Sequence, residues 1–236
     1  MLRNLILTGG WAHNFPSSSA VLAGVLSPVA TSAIVDDLGD AARQLNSGQF
    51  DVLTVYACWF TMTDARYTDE QRAEWARTTP GDLRDAVARH LDAGRGLCAL
   101  HTGLLCFTDW EEWPGVIGGD WTWGRSWHPA PAAMRVDRRP QAGNHPVVAG
   151  IDTLEVIDER YCEIVARPGS EVLMSSDGPE GEFPTVWVCD SHGGRCAYSS
   201  LGHDGVSLGE PTHARLVRRL VAWAGGGDAA TVSRLA

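Results

Sequence analysis

Short apolar runs alternate with amphipathic stretches along the first 100 residues of the chain. Two amphipathic stretches predict helices. One starts at Pro16, with a serine available as its cap, and ends near Leu26; the other starts at Pro80. The apolar runs predict buried strands at Leu2–Thr8, Ala33–Val35, Asp51–Ala57 and 97–100. Because these elements alternate with short connections, the strands are expected to form a parallel sheet covered by helices on both faces.

The second half of the chain follows a different pattern. Residues 104–150 break the alternation and form a tryptophan-rich insert. A last amphipathic helix is expected over His213–Trp223, followed by a loose C-terminal tail. Strand-like runs predict added antiparallel strands at Leu154–Ile157, Glu171–Ser175, Thr185–Val188 and Cys196–Leu201. Since no linker or repeat is visible, residues 1–236 are predicted to form one α/β domain, a three-layer sandwich around a mainly parallel sheet.

One strand end has the form of a nucleophile elbow. The apolar run 96–100 is followed by His101, with Ala99 and Gly103 two residues away on either side. In hydrolases, such a turn from a strand into a helix displays a reactive residue at the carboxyl edge of a parallel sheet. The apex carries an imidazole here, so the sequence predicts a displayed histidine in place of a serine or cysteine nucleophile.

Composition and charge exclude several classes of function. The net charge of −10 argues against a nucleic-acid or anionic-membrane surface. No apolar run is long enough to span a membrane, and the N-terminus enters a strand at once, so a cytoplasmic protein is expected. All 19 basic residues are arginines. Schiff-base chemistry and a Walker-type phosphate loop, which both need lysine, are therefore excluded.

The cysteines and tryptophans are interpreted separately. The 6 cysteines show no CxxC spacing and mostly lie in apolar runs, which is typical of buried free thiols. Cys106 in particular is expected to be buried behind the elbow. Three tryptophans of the insert, Trp121, Trp123 and Trp127, alternate with loop residues. An indole on a loop suits stacking on a flat or sugar-like ligand, although core packing is the alternative.

Four histidines follow predicted strand ends or lie in the tryptophan loop: His13, His101, His128 and His203. Parallel topology brings strand ends to one edge of the sheet, so these imidazoles are expected to converge. Glu159, just after another strand, is a candidate carboxylate partner. His90 and His192, by contrast, are expected on the surface.

Several motifs of the chain, taken in order, resemble the trehalose-utilisation (ThuA-like) family. They are the elbow ending at His101, His128-Pro129, the run Asn144–Ile151, Asp158-Glu159-Arg160-Tyr161 and Ser200-Leu201-Gly202-His203. The resemblance implies a fold similar to flavodoxin and to class I glutamine amidotransferases. Those amidotransferases carry a cysteine where this chain has His101, and their base lies where this chain has His203. Without that thiolate, glutamine hydrolysis is not expected.

The remaining residues leave two chemistries open. His101, His203 and Glu159 suit acid–base catalysis, since histidine titrates near neutrality. Alternatively, His101, His128 and His203 suit a divalent metal such as zinc, manganese or iron. The resemblance implies a sugar substrate, such as a disaccharide or a 3-keto-glycoside handled alongside a dehydrogenase. A base would remove the proton next to the keto group, and elimination, isomerisation or glycoside cleavage would follow.

The residues expected to contact such a sugar come from several segments of the chain. They are Trp11, His13, Trp59, Thr102, Trp121, Trp123, Trp127, His128 and Tyr161. Two other hypotheses remain open: a non-catalytic carbohydrate-binding protein on a degenerate amidotransferase fold, and a subunit of a larger assembly. A homo-oligomer is compatible with each.

Overall fold

The computed structural model describes residues 1–178 and 181–236. Its centre is a nine-stranded sheet in the order β2-β1-β3-β4-β11-β10-β9-β6-β7. The strands are β1 (Leu2–Gly10), β2 (Ala30–Val35), β3 (Val52–Cys58), β4 (Gly96–Leu100), β6 (Ala132–Arg138), β7 (Thr153–Asp158), β9 (Glu171–Gly178), β10 (Gly181–Ser191) and β11 (Gly194–Ser199). Two short strands, β5 (Gly119–Asp120) and β8 (Val165–Ala166), form a separate ribbon.

The sheet has a parallel half and an antiparallel half. Strands β2, β1, β3, β4 and β11 run parallel to one another. Strands β10, β9, β6 and β7 continue the sheet in antiparallel pairs. Every residue of β3 and β4 is buried, as expected for strands covered on both faces. The predicted α/β sandwich with added antiparallel strands is confirmed.

The helices cover both faces of the sheet. They are α1 (Phe15–Leu26), α2 (Leu38–Asn46), α3 (Asp69–Trp75), α4 (Gly81–Asp92), α5 (Trp113–Ile117), α6 (Gly205–Gly209), α7 (Pro211–Ala224) and α8 (Ala229–Arg234). Apolar residues of α1 and α7 pack in one core cluster, and those of α2, α4 and α5 pack in the cluster on the opposite face. Each cluster buries the apolar stripe of its helices against the sheet.

Two local expectations are corrected. Helix α1 is capped by Asn14, whose side chain accepts from the Ser17 amide, and not by a serine. The expected loose tail contains α8, which buries Val232 and is bound to α7 through hydrogen bonds from Arg219 to backbone carbonyls of Ser233 and Leu235. A buried guanidinium needs such acceptors, and the chain end supplies them.

Two further expectations concern the middle of the chain. His90 is buried and not on the surface, because its ring hydrogen-bonds the Gly96 carbonyl at 2.9 Å at the end of α4. The predicted tryptophan-rich insert of residues 104–150 contains α5 and contributes β6 to the main sheet. Among the described residues, no helix is long and apolar enough to cross a membrane.

Candidate functional site

The elbow after β4 is the first component of the site. His101 has a φ of +50°, in the left-handed region, and opens a single turn of 3-10 helix over 101–104 instead of an α-helix. A Cβ on Gly103 would lie 2.7 Å from the Val55 carbonyl, so only glycine lets the turn pack against β3. The backbone is thus strained at the residue that the turn displays.

The imidazole of His101 is fully buried and held by backbone groups. Its Nδ1 lies 2.7 Å from the carbonyl of Ser200, just beyond β11, and its own carbonyl accepts from the Tyr198 hydroxyl at 3.0 Å. A carbonyl can only accept, so Nδ1 carries a proton that it donates to Ser200. The other ring nitrogen, Nε2, faces the site.

Three other polar groups converge on that nitrogen. His13 Nε2 lies 3.1 Å from it, the nearer oxygen of Glu159 lies 3.3 Å from it, and the Tyr161 hydroxyl lies 3.3 Å from it. His13 follows β1, while Glu159 and Tyr161 follow β7. The topology therefore joins strand ends from both halves of the sheet at one atom.

Glu159 also links two further histidines. Its carboxylate lies 3.3 Å from His203 Nδ1 and 3.4 Å from His128 Nδ1. The ligand atoms of His13, His101, Glu159 and His203 all lie within 4.8 Å of one another, a cluster that can hold a metal ion. His128 lies outside this group of four, and His13, expected only to contact a sugar, lies inside it.

The electrostatics of the cluster are set by burial and by the carboxylate. Burial by itself would raise the pKa of Glu159, but contacts with His101 and His203 outweigh it and hold that pKa well below its usual range. The same carboxylate raises the pKa of His203. Desolvation and the neighbouring His101 lower the pKa of His13 to about 4. Burial raises the pKa of Tyr161 well above its usual value, so its hydroxyl stays protonated.

Asp158, which the sequence analysis did not single out, organises the cluster from behind. This carboxylate is buried, and it accepts from the backbone amide of Glu159 at 2.7 Å and from that of Gly202 at 2.7 Å. It also accepts from the hydroxyl of Ser207 in α6. Asp158 thereby ties the end of β7 to the segment that carries His203. The sequence contained a signal for this role, because a carboxylate at the end of a predicted buried strand needs hydrogen-bond partners.

The expected sugar-contacting residues separate into two groups. Trp121 packs edge-on against Tyr161 at 5.0 Å and lies 6.2 Å from His128, at the cluster. Thr102 follows His101, and its buried hydroxyl has no hydrogen-bond partner among the described residues.

The other tryptophans lie against different partners. Trp123 packs on Phe60, and Trp127 pairs by its backbone with Cys162; both indoles are more than a third exposed. Trp11 packs on Tyr67 and Trp75, and Trp59 is buried.

The thiols near the elbow take no part in this arrangement. Cys106 is buried, its Sγ donates to the Ala57 carbonyl at 3.0 Å, and desolvation raises its pKa to about 12. Such a thiol is not ionised at neutral pH and is not a nucleophile. None of the 6 cysteines, all of which lie among the described residues, forms a disulfide bond, in agreement with the sequence-based interpretation.

Solved structures with low sequence identity have the same fold. A protein described as ThuA-like from Parabacteroides merdae ATCC 43184 matches with a TM-score of 0.75 and 17% identity, covering 96% of this chain and 91% of that one. A second, from Bacteroides uniformis ATCC 8492, has a TM-score of 0.66 and 16% identity and covers 97% and 94% of the two chains.

A third solved structure, a cytoplasmic protein of Salmonella typhimurium LT2, has a TM-score of 0.65 and 11% identity and covers 94% and 99% of the two chains. These likenesses are compatible with the expected flavodoxin-like and amidotransferase-like architecture.

Sequence comparison identifies the family. No curated protein sequence matches the chain. The sequence profile of ThuA, described as trehalose utilisation, matches residues 5–224. This range includes the elbow, the carboxylates after β7 and the segment after β11 that together build the cluster. The chain therefore belongs to the ThuA family of trehalose utilisation.

Proposed function

We propose that the protein is an enzyme that removes a proton next to the carbonyl of a keto-sugar, at a divalent metal held by His13, His101, Glu159 and His203. One observation carries this proposal. Polar groups of His13, Glu159 and Tyr161, which follow two other strands, lie within 3.3 Å of His101 Nε2. The family's link to trehalose utilisation supports a carbohydrate substrate.

The donor set supports a metal on chemical grounds. The Nε2 atoms of His13 and His101 lie 3.1 Å apart beside a carboxylate, and imidazole nitrogens and carboxylates are both ligands for zinc, manganese or iron. The hydrogen bond from His101 Nδ1 to Ser200 is the outer contact that orients an imidazole ligand. When bound, the metal would polarise the substrate carbonyl as a Lewis acid.

The base would then come from outside the four ligands. His128 is 38% exposed in its side chain, and its Nδ1 lies 3.1 Å from the Pro129 carbonyl and 3.4 Å from Glu159. Both neighbours are acceptors, so Nδ1 carries a proton and Nε2 is the nitrogen left to take one up. A partly exposed imidazole at the site is suited to proton transfer.

The proposed reaction is an elimination. His128 takes the proton from the carbon next to the carbonyl, and the electron pair moves onto the carbonyl oxygen to give an enediolate. Tyr161, held protonated by its raised pKa, is the donor that stabilises this oxygen. The carbonyl then re-forms, a double bond forms to the next carbon, and the glycosidic oxygen on that carbon is expelled. This oxygen keeps the bonding pair and takes up the proton that His128 removed. Trp121 supplies an apolar face for the sugar ring.

The test combines metal analysis with turnover. The purified protein is expected to carry one divalent transition metal per chain and to consume a 3-keto-glucoside, losing activity on chelation and regaining it with Mn²⁺ or Zn²⁺. His192→Gln, a change at an exposed histidine beside Asp92, is the matched control and should retain metal and activity.

Two results would contradict the proposal. A chain free of metal that still turns over the keto-sugar would make the histidines acid–base groups. Tight sugar binding without turnover at any metal would favour a carbohydrate-binding protein.

A further inference from the structure

A cavity opens beside the cluster. Its volume is about 450 Å³, and it lies at the carboxyl ends of β1 and β2 and the start of α1. His13 lines it, and the Nε2 of the same ring belongs to the four-ligand cluster. A ligand that fills this cavity would therefore adjoin the group reacting at the cluster. We call it the aromatic cavity, after Phe15, Trp59 and Trp75 in its wall.

The wall of the aromatic cavity is mainly aromatic and apolar. The ring centroids of Trp59 and Trp75 lie 6.3 Å apart with an angle of 32° between their planes, so two neighbouring indoles contribute to this wall. Trp59 packs so closely on Gly9 that a Cβ there would lie 2.8 Å from the indole ring. Its Nε1 donates to the Thr8 carbonyl at 2.9 Å. The ring is thus fixed, and its polar atom is already used within the protein.

Most polar side chains around the cavity are also paired. The hydroxyls of Thr8 and Ser19 lie 2.6 Å apart, and Ser19 donates to the Phe15 carbonyl. Asp36 differs: it is exposed at the rim, and its carboxylate has no hydrogen bond or ion pair in the described part of the chain. No arginine lines the cavity, and the carboxylate of Asp36 lies at its rim. An anionic ligand would be repelled by this carboxylate and is therefore disfavoured.

The unused groups define the ligand. A buried sugar ring carries several hydroxyls, each of which needs a partner, and the cavity side chains offer one free carboxylate. A flat apolar group with a single donor matches both the indole wall and Asp36. We propose that the aromatic cavity binds the leaving group of the substrate, an aryl aglycone whose hydroxyl or amino group donates to Asp36. This inference rests on the proposed function, because it takes the cluster as the reacting centre.

The aglycone subsite can be tested by binding, without turnover. Saturation-transfer NMR would be recorded with 4-hydroxyphenyl, 4-methoxyphenyl and methyl β-glucosides on the full chain. We expect the aryl protons to receive the strongest transfer and the 4-hydroxyphenyl compound to bind about tenfold more tightly than the 4-methoxyphenyl one, the effect of one hydrogen bond to a charged group.

Two variants assign the contacts. Asp36→Ala should remove the tenfold preference for the hydroxyl, and Trp75→Ala should weaken both aryl compounds without affecting the methyl glucoside. Asp85→Ala, a change at an exposed aspartate of α4, is the matched control. Metal content is measured on each variant and should be unchanged, so that damage to the cluster is distinguished from loss of the subsite.

Three outcomes would overturn the inference: equal binding of methyl and aryl glucosides, a hydroxyl preference that survives Asp36→Ala, or tighter binding of a glucose disaccharide than of the aryl compounds. The last would assign the cavity to a second sugar ring. If the protein holds no metal and turns over no keto-sugar but shows the expected aryl preference, the proposed function fails and the cavity assignment stands.

Discussion

The parallel and the antiparallel halves of the sheet contribute to the site in different ways. The parallel half supplies imidazoles: His13, His101 and His203 follow β1, β4 and β11. The antiparallel half supplies the carboxylates and the phenol, since Asp158, Glu159 and Tyr161 come at or just after the end of β7. The imidazoles are placed by strand order, whereas the carboxylates are placed by side-chain contacts across the sheet.

This difference has a physical cause in how the two halves are packed. Strands β3 and β4 are buried along their whole length, so their ends are fixed by the core. Strand β7 lies at the sheet edge and alternates buried with exposed residues; its Ile157 is 60% exposed. Its end is held to the centre through the Asp158 contacts with Gly202 and Ser207.

The largest effect is expected at the imidazole that the parallel half holds most rigidly. His101→Gln removes the nitrogen on which the cluster converges, so activity on a keto-sugar should fall by at least about 100-fold and bound metal should be lost. Metal analysis and steady-state kinetics measure the change. If His101→Gln retained both metal and rate, the central place of His101 would be wrong.

A smaller loss is expected when the tie to the antiparallel half is cut. Asp158→Asn keeps the shape but weakens the contacts that hold Glu159, and metal affinity should fall by about 10- to 100-fold, as for other outer contacts of metal ligands. Competition with a chelator measures it. Asp152→Asn, at an exposed ion pair with Arg138, is the control and should leave the affinity unchanged. Equal losses of metal affinity in the two variants would contradict the proposal that Asp158 holds the antiparallel half to the cluster.

Stability tests the tight packing of the parallel half. Gly103→Ala places a Cβ 2.7 Å from the Val55 carbonyl and should lower the free energy of unfolding by about 1–3 kcal/mol. Gly24→Ala in α1, where a Cβ meets nothing within 4 Å, should raise it by about 0.5–1 kcal/mol. Urea unfolding of both variants provides the comparison, and a neutral Gly103→Ala would show that the elbow can relax.

The pH dependence of the metal-free protein should report His13. Its folded pKa is lowered to about 4, so between about pH 6.5 and 4 the unfolded chain binds a proton that the folded chain does not. Stability should therefore fall as the pH drops through this window, by up to roughly 3 kcal/mol from this group. The free energy of unfolding is measured against pH for the wild type and for His13→Asn. The variant lacks this contribution, so its stability should fall less steeply between about pH 6.5 and 4. Parallel curves for the two proteins would contradict this assignment.

The smallest effect is expected at Cys106. Its raised pKa and its hydrogen bond to Ala57 make it a packing residue, so Cys106→Ala should change kcat/KM by less than about twofold. Treatment of the native protein with iodoacetamide should also leave kcat/KM unchanged. A large loss of kcat/KM in either experiment would indicate that a thiol takes part in the reaction.

The sequence by itself determined the parallel half and the residues that it displays. Continuous apolar runs, glycines at turns and histidines after strand ends suffice for this, because parallel strands bring their carboxyl ends to one edge. The elbow, the convergence of His13, His101 and His203, and the inert Cys106 follow from that pattern. Helix α8 does not follow from the sequence pattern. Its amphipathic pattern is weak, and the helix is stabilised by the burial of Val232 and by the hydrogen bond from Arg219 to the Leu235 carbonyl.

Only the tertiary structure decided which groups belong to the cluster and which do not. His13 belongs to the group of four whereas His128 lies at its edge, a difference that side-chain packing sets and the local sequence does not encode. Asp158 acquired its role from partners 44 and 49 residues away in the chain. Such contacts are fixed by the burial of charge, which becomes costly only after the halves of the sheet have come together.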